Sequence, residues 1–135
     1  MPDVPSSEAG PVLYSNEDIE HRIRKAQKQV NLDNEDMKDI ICQYIQDTPV
    51  MLDNLVSAWH RKDFESIALY AHSLVGVTRL LYFDDVSECA SIIEELAKEN
   101  FRAKETILLK LQKHHNAGLA VLRQMYPCPE LLDTF

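Results

Sequence analysis

Apolar residues return every three or four positions along almost the whole chain, and no segment alternates in the manner of a strand. That periodicity admits helices packed on one another and excludes a sheet as the organising element. Ile41, Tyr44, Ile45, Thr48, Leu52, Leu55, Val56 and Trp59 hold one such stripe to about Lys62, in phase across Pro49. A proline there removes a hydrogen bond, so a kinked but continuous helix is expected. Ser15-Asn16-Glu17-Asp18 and Asp33-Asn34-Glu35-Asp36 read as capped, acidic starts of helices ending near Val30 and Lys62. Asp63 caps a third helix ending near Tyr82. Asp84-Asp85 cap a fourth, ending near Asn100, and a fifth runs from about Ala103 to Tyr126 before Pro127 and Pro129 stop it. The expected fold is all-α: an antiparallel four-helix bundle with an additional short N-terminal helix.

The bundle is assigned to residues 15–127. Residues 1–14, with three Pro, one Gly and two Ser, read as a disordered tail, and 128–135 as a C-terminal tail. At 135 residues the chain is long enough for one hydrophobic core. Its net charge of −8 repels phosphate backbones and anionic lipid, which argues against nucleic acid and membranes and in favour of protein partners. No apolar run reaches the roughly 18 residues of a membrane span. The N-terminus lacks the blocks of a signal peptide, so the cytoplasm is the default location. Cys42, Cys89 and Cys128 are odd in number and far apart, which suggests neither a disulfide framework nor a zinc site. His114 and His115 are adjacent and point about 100° apart on a helix, while His21 and His60 stand alone, so no metal is expected.

The third helix is the informative one. Its core seam is read as Ile67, Tyr70, Leu74, Val77 and Leu81, with His72 almost opposite. Above and below His72 on the outer face are Ala68 and Gly76. An outward glycine costs a helix about 0.5–1 kcal/mol relative to alanine, so it asks for a reason. An imidazole between two small residues stands proud, and another backbone can approach it closely. Leu69, Val75 and Leu80 surround the clearing as an apolar docking patch, and Arg79 offers a cation two turns along.

The stretch Ala71-His72-Ser73-Leu74-Val75-Gly76-Val77-Thr78-Arg79-Leu80-Leu81 resembles the signature of histidine-containing phosphotransfer (HPt) domains, roughly A-H-x-L-K-G-[SA]-[SA]-x-x-[LI]-G. Val86, Cys89, Ile93 and Glu94 fall where that family has its next helix, and the resemblance spans about residues 16 to 126. It implies that His72 is the phosphorylated histidine and that Gly76 lets a receiver domain approach. Glu94 then accepts a hydrogen bond from the imidazole Nδ1–H and leaves Nε2 as nucleophile. It also implies a phosphocarrier rather than a kinase, a monomer that takes the phosphoryl group from the receiver of a hybrid sensor kinase and gives it to that of a response regulator. No cofactor is expected on this chain, Mg²⁺ being supplied by the receiver. The docking surface is expected on Ala68, Leu69, Val75, Gly76, Arg79 and Leu80, with an edge from Ile19 and Ile23. Two positions depart from the signature. The family lysine three residues after the histidine is Val75, for which Arg79 is the expected substitute, and the glycine at the helix end is Tyr82. The lost lysine supports one alternative, an HPt-like adaptor that docks partners without carrying phosphate.

Overall fold

The computed structural model describes residues 13–128. It is all-helical there, with five helices: α1 (Asn16–Val30), α2 (Asn34–Arg61), α3 (Phe64–Leu80), α4 (Asp84–Lys98) and α5 (Glu105–Met125). Side-chain caps open the first three. Ser15 accepts from the Asp18 N–H, Asp33 from Asp36 and Asp63 from Ser66. The fourth differs from expectation. Phe83 is its N-cap, without a side-chain bond, and Asp84 and Asp85 lie inside the first turn. The helix α2 runs through Pro49, and the hydroxyl of the preceding Thr48 donates to the Tyr44 carbonyl at 2.8 Å.

Each helix from α2 onward packs on the next, α5 returns against α2, and α1 lies on α5. The core between them includes Ile41, Leu55, Ile67, Leu74, Ile93, Leu111 and Leu122, all buried. The α3 seam is rotated from the one expected. Ile67, Ala71, Leu74, Val75 and Thr78 are its buried residues, whereas Tyr70 and Val77 are half-buried. The reason is that α3 is packed on both α2 and α4, so it buries a wider stripe than a single a/d seam.

Between α3 and α4 the chain turns through Tyr82, whose φ of 59° lies in the left-handed region. Glycine occupies that region without strain, which accounts for the glycine in the signature. Here the Phe83 N–H donates to the Thr78 carbonyl at 2.9 Å and the Tyr82 N–H to Arg79 at 3.0 Å. Arg22 donates to the Tyr82 carbonyl and Lys25 sits 4.4 Å from its ring centroid, so α1 braces the strained corner. The next residue, Phe83, stacks on Tyr44 and meets Tyr14 edge-on. A Cβ on Gly118 would come within 2.8 Å of that Phe83 ring, which requires glycine in the middle of α5.

Two expectations about the ends are corrected. Tyr14, assigned to the tail, is buried, its ring against Phe83 and its hydroxyl 3.2 Å from His114 Nδ1. Cys42 and Cys128 form a disulfide with their Cα atoms 5.9 Å apart, although no pairing was expected from their spacing. The folded chain brings the segment after α5 back to α2, which linear distance conceals. The remainder of both expected tails, 1–12 and 129–135, falls outside the described residues.

His115 lies in the α5 stripe and is 2% exposed, and its Nε2 has no hydrogen-bond partner among the described residues. Burial holds its pKa below the ordinary 6.5. The folded protein therefore keeps His115 neutral while the unfolded chain takes up a proton as pH falls past 6.5, so stability is lost on that side. We expect the melting temperature to fall between pH 6.5 and 5, and the fall to shrink in His115→Leu. An identical pH dependence in the two proteins would contradict this.

Candidate functional site

His72 sits midway along α3, and its side chain is 74% exposed. Helical spacing turns it away from Ala71 and Leu74, which are wholly buried, and so presents the imidazole to solvent. The ring is nevertheless fixed. Its Nδ1 lies 2.8 Å from Oε2 of Glu94, a residue of α4 whose side chain is 9% exposed. With Nδ1–H donating to the carboxylate, the lone pair is on Nε2, which has the outward, nucleophilic position. Burial alone would raise the Glu94 pKa. Hydrogen bonds from Lys98 and His72 outweigh burial and hold the carboxyl below its ordinary range. Glu94 is thus an anion at neutral pH, able to offset positive charge that develops on the ring.

Lys98, one turn after Glu94 on α4, approaches the same oxygen, Oε2, at 3.2 Å and lies 3.8 Å from Glu95. His72, Glu94 and Lys98 line one side of an open groove of about 520 Å³, with Glu65, Ser66, Ala68 and Leu69 completing its wall. The sequence reading missed Lys98. The signal was present as Glu94-x-x-x-Lys98, an i,i+4 pair in the favourable orientation on a helix, but only the packing of α4 on α3 brings it to the histidine.

The docking residues divide. Leu69 is 61% and Leu80 39% exposed, Gly76 and Arg79 are exposed, and Ala68 is half-buried. A Cβ at Gly76 would meet nothing within 4 Å. Packing within this chain therefore does not require the glycine, unlike Gly118. Leu80 and Val77 also line a smaller apolar groove of about 170 Å³ against Ile40, Tyr44 and Thr48 of α2. Three expected contacts are corrected. Val75 is 7% exposed because it belongs to the widened buried stripe, and Ile19 and Ile23 are core residues of α1 at 0% and 4%. None of the three forms an outer surface. Arg79 is seven residues from His72, about 10.5 Å along the helix axis, and does not line the groove that contains the imidazole.

Among the described residues no group of three or more His, Cys, Asp or Glu is placed to hold a metal ion. None of the helices is long and apolar enough to cross a membrane. No curated protein and no solved structure matches the chain. The Hpt domain family does match, over residues 39–126, a span that begins in α2, contains His72, Glu94 and Lys98, and ends after α5. Domains of this family are phosphocarriers in two-component phosphorelays, where they exchange phosphoryl groups with receiver domains and are not kinases. With more than half of its length matched, the chain belongs to the Hpt (histidine-containing phosphotransfer) domain family.

Proposed function

We propose that His72 accepts a phosphoryl group from the aspartyl phosphate of a hybrid sensor kinase's receiver domain and delivers it to the receiver of a response regulator. The observation that supports this most is the pairing of a 74% exposed imidazole with a buried carboxylate 2.8 Å from its Nδ1. An ordinary surface histidine is not held in one tautomer. In the forward step the Nε2 lone pair forms a bond to phosphorus while the aspartyl P–O bond breaks and the aspartate leaves as carboxylate. The Nδ1 proton stays shared with Glu94, whose charge offsets the charge gained by the ring. Mg²⁺ and most of the transition-state stabilisation come from the receiver, so this chain works by positioning and requires no cofactor.

In this reading α2–α5 are the antiparallel four-helix bundle and α1 is the additional helix, the working unit being residues 15–127 extended by Tyr14 and Cys128. The receiver docks across Ala68, Leu69, Gly76 and Leu80. The protein acts as a monomer in the cytoplasm, and its acidic surface disfavours nucleic acid and membranes as partners. The adaptor alternative rests on the absent family lysine at Val75.

Labelling from a phosphorylated receiver separates the two. Transfer predicts acid-labile, base-stable label on wild type and none on His72→Gln. An adaptor would bind the receiver and take up no label. We further expect Gly76→Gln to slow transfer at least tenfold while the melting temperature stays within a few degrees, because the new side chain enters open space on this chain and the partner's approach path. Normal transfer by that variant would remove Gly76 from the interface.

A further inference from the structure

We propose that Lys98 supplies the cation for the phosphoryl group on His72, replacing from α4 the lysine that the family carries on α3. The inference rests on the transfer reading of the site. The need arises at Val75, where the signature has a lysine and this chain has a buried apolar residue. A phosphoryl group on Nε2 would bring negative charge to a groove that already holds Glu65 and Glu94. Of the residues lining that groove, Lys98 is the one cation.

Its geometry suits the task. Lys98 Nζ and His72 Nδ1 address the same oxygen, Glu94 Oε2, at 3.2 and 2.8 Å, and both residues line the one groove, so the ammonium is held on the histidine's side of α4 before any phosphate arrives. The Lys98 side chain is 56% exposed, and its flexible stem lets the ammonium swing without moving the backbone. In the resting site it neutralises Glu94. When phosphorus is bonded to Nε2, the ammonium turns to the phosphoryl oxygens, and Glu94 keeps its bond to the Nδ1–H of a ring that is now more positive. The acid partner freed by Lys98 is thus compensated by the imidazole. No proton or electron is exchanged with anything outside the site. Arg79, the other candidate, lies two turns along α3 and off the groove.

The test is a pH titration of the phosphohistidine itself. Wild type and variants are phosphorylated with potassium phosphoramidate, and the phosphorus resonance is followed against pH. A cation in contact lowers the pKa of the phosphoryl group, so its removal in Lys98→Met should raise the midpoint by about half a unit or more. The same variant should accept label from a phosphorylated receiver about tenfold more slowly. Lys98→Arg should restore both, and Arg79→Met should leave the midpoint where it is in wild type. Lys98→Met made in a Glu94→Gln background should still raise the midpoint, because the contact does not act through Glu94. An unchanged midpoint in Lys98→Met, or one that moves only in Arg79→Met, overturns the assignment. If wild-type His72 is labelled by neither donor, the transfer reading itself fails and takes this inference with it.

Discussion

Replacing Glu94 with alanine is expected to slow phosphoryl transfer from a receiver to His72 by about 100-fold, and replacing it with glutamine by about 10-fold. The size follows from what the carboxylate does. It holds Nδ1–H at 2.8 Å, which keeps the reactive lone pair on Nε2 and the ring in one orientation. Partners that orient a metal-bound histidine are worth about 10–100-fold, and Glu94 orients His72 by the same kind of bond while the receiver carries the chemistry. Glutamine can still accept the hydrogen bond and preserve orientation, but it cannot offset charge on the phosphorylated ring. The two variants therefore separate geometry from electrostatics. Both should remain folded, because the carboxylate, though buried, lines the groove and is bonded to His72 and Lys98. Equal rates for wild type, glutamine and alanine in single-turnover transfer would show that Glu94 has no part in the reaction.

The second large effect is on stability. Reduction of the Cys42–Cys128 disulfide is expected to lower the melting temperature by about 10 °C. The two cysteines are separated by 86 residues, so the bond closes a loop that spans most of the helical body. In the chain-entropy account such a loop removes about 4–5 kcal/mol of freedom from the unfolded state, and native disulfides commonly realise about 2–4 kcal/mol. Cys42→Ser/Cys128→Ser should melt like the reduced protein and be indifferent to reductant. Cys89, free and buried, should make no difference. In the reducing cytoplasm proposed for this protein Cys42 and Cys128 are kept as thiols and the stabilisation is absent, so the difference is expected for the oxidised protein in vitro. A melting temperature unaffected by reductant, with both thiols shown to be free, would contradict the expected contribution.

These two effects differ in how far the sequence discloses them. Helix periodicity alone indicated five helices and their ends to within a few residues, because caps such as Ser15, Asp33 and Asp63 are local chemistry. It also turned His72 outward, between Ala68 and Gly76. What it could not read were relations between helices. A single seam read for α3 leaves Val75 on the surface, and Ile19 and Ile23 were expected as an edge of the docking surface. The burial of α3 against two neighbours, and of α1 against the body, moves all three inside. Glu94 entered only through resemblance to the family signature, being 22 residues from His72 and on another helix. Lys98 and the Cys42–Cys128 bond were missed for the same reason: each depends on how segments far apart in the chain pack together, which no spacing within a helix encodes. Tyr82 is the converse case. Its departure from the signature glycine was visible in the sequence, and the structure supplies the reason, a left-handed φ of 59° braced by Arg22 and Lys25.

Phosphotransfer by this chain turns on one atom, Nε2 of His72. Its direct test is to phosphorylate ¹⁵N-histidine-labelled protein from a phosphorylated receiver and correlate ring nitrogens with ring protons and phosphorus. The predicted result is a single modified histidine, His72, with phosphorus on Nε2 and a proton retained on Nδ1. Phosphorus on Nδ1, on another residue, or nowhere after incubation with receivers of both kinds would contradict it.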